Sequence, residues 1–248
     1  MHLVDADAPE LTGFGSLRQS AQPEGTCIAD GGQTIVHMAE NGARILALLA
    51  TERWVAELAP YLGDAFVHVA EQSAISQIVG FPLHRGAIAR FAAPGETPFE
   101  QLPERLCLLD GITDAENVGG IARTAAAFGF GMIIGPESCS LLHRRAIRVS
   151  MGAVARLPHI HVQDTPSAVE ALSARGIETW IADAHEGVPL RELRRSRICV
   201  VFGGEANGAA RATRNAAAGM LRIAMPGKID SLNVAASAAI VLHHFSSN

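Results

Sequence analysis

The chain has 248 residues, a formal net charge of −5 and 48% hydrophobic residues. Its mean hydropathy is +0.20. That length fits one large domain or two modest ones with a real buried core. No apolar run approaches the roughly 18 residues of a membrane span, which excludes a transmembrane helix. The balance is −7 over residues 1–100 and +2 over residues 101–248, less basic than a typical nucleic-acid binder. The acidic start "MHLVDADAPE" has no basic n-region ahead of an apolar stretch, so no signal peptide and a cytoplasmic location are expected. The four cysteines share no C-x-x-C spacing, and two sit in apolar runs, so reduced buried thiols are expected.

Residues 1–25 carry few periodic signals. The pattern then predicts a helix over 31–42, a strand over 43–50 and a helix over 51–63. A strand over 64–70, a short helix over 71–80 and a strand over 84–92 complete a small α/β unit. "APGETPFEQLP" follows, with three prolines in eleven residues, and reads as a linker. The alternation restarts more clearly with strands over 105–110, 131–135, 157–162, 177–183, 197–204 and 220–226. Helices are predicted over 117–129, 141–152 and 165–176, after Asn207, and at the C-terminus. Such a run implies a mostly parallel sheet with helices on both faces. The expected domains are 1–93, a linker at 94–104, and 105–248.

Ligands of such sheets bind beyond the carboxyl ends of the strands. Three strand ends carry unusual residues: "LDGITDAENVGGIAR" (109–123), "VFGGEANG" (201–208) and "AMPGKIDSLN" (224–233). Familiar phosphate cradles fail. "FGFGMIIG" (128–135) is not G-x-G-x-x-G and precedes a strand, and Ala209 and Ala210 stand where a P-loop needs Lys and Ser or Thr. The pairs His159/His161 and His243/His244 have no further nearby ligands in the sequence, so no metal site is expected.

In the first segment Asn117 precedes a helix and reads as a cap or turn residue. Gly119 and Gly120 cost a helix about 1 kcal/mol each relative to alanine, which points to close approach of a backbone or ligand. Arg123 is either a surface charge or an anion clamp. In the second segment Glu205 either caps the next helix or binds a donor in a ligand, among glycines that expose backbone groups. In the third, Asp230 or Ser231 can cap the last helix. Asn233 is then a surplus polar group that needs a partner.

Taken together, the three segments resemble the SpoU family of RNA 2′-O-ribose methyltransferases, within the SPOUT superfamily. "NVGGIARTAAAFG" resembles the family's N-x-G-x-x-x-R-T-A motif, "VFGGEANG" its G-x-E-x-x-G strand end, and "IAMPGKIDSLNVAASAAIVL" its I-x-M-x-G…S-L-N-V motif. "RRAIRVSMGAV" also matches the stretch between the first two. Ala115 stands where the family usually has proline, and Gly204 occupies the middle of the second motif. Residues 26–92 look like the small RNA-binding domain that many members carry in front.

The resemblance implies a trefoil-knotted catalytic domain that works as a homodimer, binds S-adenosylmethionine and methylates a ribose 2′-OH in rRNA or tRNA. By motif match, Gly203, Ile223 and Leu232 contact the cofactor, with Asp183 a further candidate from its strand-end position. Arg123 is the central catalytic residue of the resemblance. A guanidinium is nearly always charged, which favours clamping an RNA phosphate and stabilising a developing alkoxide over acting as a base. Asn117 and Glu205 orient the arginine and the nucleotide, and Ser231 and Asn233 complete a polar wall. The arginines 144/145/148 and 191/194/195/197 are candidate phosphate contacts or solvated charges. The competing readings are a non-catalytic RNA-binding or ribosome-assembly protein on the same fold, and a small-molecule enzyme using a nucleotide cofactor.

Overall fold

The computed structural model describes residues 14, 24–83, 86–205, 207–227 and 230–246. The chain divides into two compact units, Met1–Pro94 with Leu142–Arg156, and Gly95–Leu141 with Leu157–Asn248.

The first unit holds β1 (Thr26–Asp30), α1 (Gly32–Glu40), β2 (Ile45–Ala50), α2 (Glu52–Leu58), β3 (Phe66–Val69), α3 (Gln72–Val79) and β4 (Ala87–Ala92). The sheet order is β1-β4-β2-β3. β4 runs antiparallel to β1 and β2, and β3 runs parallel to β2. Ile28, Ala47, Leu49 and Ile88 bury one sheet face beneath Ile75 and Val79 of α3. β1 has no counterpart among the predicted strands. Its five residues, four of them buried in succession, are too few for an alternating pattern.

The segment 141–152, predicted as one helix of the second domain, contributes only α5 (Arg144–Val149), which groups with the first unit and packs on β1. Arg144 and Arg148 both face the Asp30 carboxylate, itself 3% exposed. A buried charge needs such partners. These two arginines are therefore engaged within the fold.

The second unit is built on β5 (Arg105–Asp110), β6 (Gly131–Ile134), β7 (His159–His161), β8 (Glu178–Asp183), β9 (Val188–Pro189), β10 (Ile198–Gly203) and β11 (Gly219–Arg222). They form a seven-stranded sheet in the order β7-β6-β5-β10-β8-β11-β9. Every pairing is parallel. α4 (Ala115–Phe128), α6 (Thr165–Ala174), α7 (Arg211–Ala216) and α8 (Val234–Ser246) complete it. Leu106, Leu108, Ile181 and Val201 pack on one face with Val169 and Leu172 of α6. The alternate residues Cys107, Leu109, Val200 and Phe202 are also buried. α4 contacts β5, and α8 contacts β10 and lies along α4. Strands buried on both faces read as continuous apolar runs, which is why the sequence shows them well. β9 is an exception: two residues at the sheet edge leave no pattern.

Because the strands are parallel, their carboxyl ends share one edge. Gly203 pairs with Asp110 and Arg222 with Asp183, so the ends of β5, β10, β8 and β11 lie side by side. The strand predicted over 220–226 stops at Arg222, and the chain from Ile223 leaves the sheet at this edge. Among the described residues, no helix is long and apolar enough to cross a membrane. Cys27, Cys107 and Cys199 are buried, and burial pushes the Cys27 and Cys107 thiols up to about 12.

Candidate functional site

The first loop runs from β5 into α4. Asp114, not Asn117, is the N-cap: its carboxylate accepts the backbone N–H of Glu116 at 2.7 Å. Asn117 is already helical and 6% exposed. Its side chain is therefore released from capping and points to two other loops. Ser138 holds the preceding turn by accepting the N–H groups of Gly111 and Ile112 at 3.0 and 3.2 Å.

The second loop leaves β10 at Gly203 and doubles back. The Gly208 N–H donates to the Gly204 carbonyl at 2.8 Å. A Cβ on Gly203 would sit 2.0 Å from the Ala209 nitrogen, and one on Gly204 would sit 2.5 Å from the Gly111 carbonyl oxygen. Only glycine permits either approach. Asp110 latches this loop to β5. Its carboxylate accepts the Ala210 N–H at 2.8 Å and the Thr165 hydroxyl at 3.4 Å, and its carbonyl accepts the Gly204 N–H at 3.0 Å. The sequence reading passed over Asp110; a carboxylate closing an otherwise apolar strand was the available signal.

The third loop enters α8. Neither Asp230 nor Ser231 is the cap seen here. The Asn233 side-chain oxygen accepts the N–H groups of Ala235 and Ala236 at 2.9 and 3.3 Å. Its amide nitrogen donates to the Asn117 oxygen at 2.8 Å, and the Asn117 nitrogen donates to Glu205 Oε1 at 2.8 Å. The direction of this relay is fixed at both ends. Backbone N–H groups can only donate and an ionised carboxylate can only accept, so both amides have one satisfiable orientation. Gly120 lets the two helices meet: a Cβ there would lie 3.0 Å from the Ala235 Cβ.

A cleft of about 560 Å³ lies among these loops. Gly203, Ile223, Leu232, Asp183, Glu205, Ser231 and Asn233 all line it. Asn117 reaches its edge through Asn233 and Glu205. Arg123 does not line the cleft; it is exposed on α4. Asp183 is engaged in holding the cleft wall. It accepts the N–H groups of His185 and Glu186 at 3.0 Å each and the Arg214 guanidinium at 2.6 Å. Burial pushes the Asp183 carboxyl up, but the two amides and Arg214 outweigh it and hold it below the ordinary range. Arg214, also missed in the sequence, donates as well to the Ala209 carbonyl at 3.3 Å. Of the second arginine group, Arg195 pairs with Glu178 at 2.7 Å and Arg197 with Glu104 at 3.3 Å. Among the described residues, no group of three or more His, Cys, Asp or Glu is placed to hold a metal.

A family model described as the SpoU rRNA Methylase family matches residues 104–243. "Uncharacterized tRNA/rRNA methyltransferase Rv0881" of Mycobacterium tuberculosis is 29% identical over 258 residues, covering 97% of this chain and 90% of its own. A 23S rRNA (guanosine-2′-O-)-methyltransferase RlmB of Xanthomonas axonopodis pv. citri is 32% identical over 180 residues, covering 68% of this chain and 72% of its own. The AdoMet-bound rRNA methyltransferase of Sinorhizobium meliloti shares the fold, with a TM-score of 0.82 at 23% identity over 96% of this chain and 94% of its own. With over half its length on that model and a relative above 30% identity across two thirds of it, the chain belongs to the SpoU rRNA methylase family.

Proposed function

We propose that the protein transfers a methyl group from S-adenosylmethionine to a ribose 2′-OH of structured RNA, rRNA or tRNA. The observation that carries this is the convergence of three loops, distant in sequence, on one cleft whose polar edge is the Asn233–Asn117–Glu205 relay. The cleft fits the cofactor. Its volume of about 560 Å³ is that of a small-molecule site. Backbone at Gly203 and Gly204 and the side chains of Ile223, Met225 and Leu232 offer an adenosyl and methionyl group apolar walls and main-chain partners.

When bound, the cofactor supplies a methyl group activated on a sulfonium. The chain's own residues must place and deprotonate the ribose hydroxyl. Glu205 has one oxygen held by Asn117. Its other oxygen has no partner among the described residues and is the acceptor for the hydroxyl. Ser231 and Asn233 close the polar edge beside it. Asp183 acts on the opposite wall through Arg214.

Arg123 clamps the RNA phosphate. Its exposure outside its own cleft suits a homodimer in which each copy lends Arg123 to the other. Residues 1–93 form the RNA-binding portion, the catalytic portion spans 105–248 with knotted threading, and the protein works in the cytoplasm. The test is calorimetric titration with S-adenosylmethionine, then transfer of labelled methyl into total RNA with 2′-O-methyl mapping. Saturable binding and a discrete methylated ribose are expected. Unlabelled RNA with an unchanged map would overturn the proposal.

A further inference from the structure

Glu205 has two supports, and both start from the turn between β5 and α4. The first is its backbone, through the preceding residue. The Gly204 N–H donates to the Asp110 carbonyl at 3.0 Å, and the Gly204 carbonyl accepts the Gly208 N–H at 2.8 Å. Between them the Gly204 α-carbon faces the Gly111 carbonyl oxygen, which a Cβ there would meet at 2.5 Å. The second support is the carboxylate, held by Asn117 in the first turns of α4, a helix that begins where this turn ends.

The turn itself is pinned from outside the three loops. Ser138 stands in the loop that follows β6, beyond all three motif segments, and does not line the cofactor cleft. Its Oγ accepts the Gly111 and Ile112 N–H groups at 3.0 and 3.2 Å and donates to the Leu109 carbonyl at 3.2 Å. A hydroxyl has one proton and two lone pairs, so this one is fully used inside the protein. The next residue adds a backbone bond, from the Cys139 N–H to the Ile112 carbonyl at 2.8 Å.

Covalent geometry makes this clamp a lever. A trans peptide is planar, with its C=O and N–H at opposite ends. The Gly111 carbonyl and the Ile112 N–H belong to one such plane. Ser138 holds the N–H end, and the carbonyl end faces Gly204. Rotation of the plane would swing that oxygen into Gly204 or away from it. Gly111 has a φ of +75°, in the left-handed region, and glycine turns there with little resistance of its own. The resistance comes from Ser138.

We propose that Ser138 is a positioning residue for methyl transfer, an inference that rests on the methyl-transfer reading above. Through the Gly111–Ile112 peptide it fixes Gly204, and with it the Glu205 carboxylate that receives the ribose hydroxyl. Its loss leaves Gly203 in register with Asp110 and the cofactor walls at Ile223, Met225 and Leu232 in place, and loosens the acceptor.

The test is single-turnover transfer of labelled methyl from saturating S-adenosylmethionine into total RNA from cells lacking the gene, over a range of RNA concentrations. Rates are divided by the S-adenosylhomocysteine sites per chain counted by calorimetry, so that unfolded molecules do not enter. Ser138→Ala leaves the Gly111 and Ile112 N–H groups without their acceptor. It should slow transfer per site about tenfold or more, because slight misplacement of a reacting group is costly. The half-saturating RNA concentration and S-adenosylhomocysteine affinity should stay within about twofold of wild type. Ser138→Thr keeps the hydroxyl and should recover most of the rate. Where Ser138→Ala does not fold, Ser138→Cys takes its place, since a thiol accepts hydrogen bonds weakly. A wild-type rate per site, a loss that appears in RNA or cofactor affinity instead, or a threonine variant as slow as alanine would overturn the role of Ser138 alone. A wild type that binds no S-adenosylhomocysteine, or leaves the RNA unlabelled, would overturn the methyl-transfer reading and this inference with it.

Discussion

Asn233→Asp isolates the relay from the cap it is joined to. Aspartate caps a helix as well as asparagine does, so the bonds from Ala235 and Ala236 survive. What is lost is the donor to Asn117 Oδ1, now 2.8 Å from an acceptor. Flipping the Asn117 amide does not help, because its oxygen would then face Glu205 Oε1 at 2.8 Å. Asn117 is 6% exposed, so water does not readily repair the mismatch. One unsatisfied buried acceptor costs about 1–3 kcal/mol. If that cost falls on the placement of Glu205, methyl transfer slows about 5- to 150-fold. The assay is single-turnover transfer of labelled methyl into RNA at saturating cofactor, with thermal melting in parallel. Asn233→Ala should lose the cap as well, about 1 kcal/mol more in stability. Wild-type turnover by Asn233→Asp would refute a working role for the relay, whatever its melting temperature.

Gly203→Ala should abolish cofactor binding in calorimetry and lower the melting temperature, since its Cβ would meet the Ala209 nitrogen at 2.0 Å; retained affinity would contradict the tight loop. Mixing inactive Arg123→Ala with inactive Glu205→Gln should restore about a quarter of wild-type activity if Arg123 serves the other copy of a homodimer; a mixture as inactive as its parents would place Arg123 elsewhere. Asp183 has its folded pKa lowered below the ordinary 3.8. Its stabilising contribution is therefore full above that value and fades as pH falls through the lower folded value. The stability gap between wild type and Asp183→Asn, measured by urea unfolding, should be constant near neutrality and narrow below about pH 4. A gap that widens on acidification would reverse the sign of this reasoning.

The sheet and the three loops were legible because parallel strands buried on both faces, such as 105–110 and 197–204, write long apolar runs. The caps were less so. Asp114 and Asn117 both precede the apolar part of α4, and local propensity suits either. Asn117 is withdrawn from capping by Glu205, 88 residues away, and Asn233 is drawn to its cap and its partner by contacts the sequence does not record. Arg123 illustrates a different limit. Six residues from Asn117 on an α-helix is a rotation of about 240°, so the two side chains point to different sides of α4. Motif spacing placed them together on paper, and helix geometry separates them. Asp110 and Arg214 were overlooked because their bonds to Ala210 and Asp183 exist only once β5, β10 and β8 are side by side.

The relay has a direction, and a direction can be reversed. In Asn233→Asp combined with Glu205→Gln, the flipped Asn117 amide donates to residue 233 and accepts from residue 205, and every buried group is satisfied again. Stability should then return while the carboxylate proposed to receive the ribose hydroxyl stays absent. The three residues thus form a grammar more than a set of contacts: each side chain is legible only through the polarity of the next, and a change at one end is tolerated when the other end changes with it. Helix α8 reads that sentence at its first turn, so its start is anchored by the same bonds that shape the site.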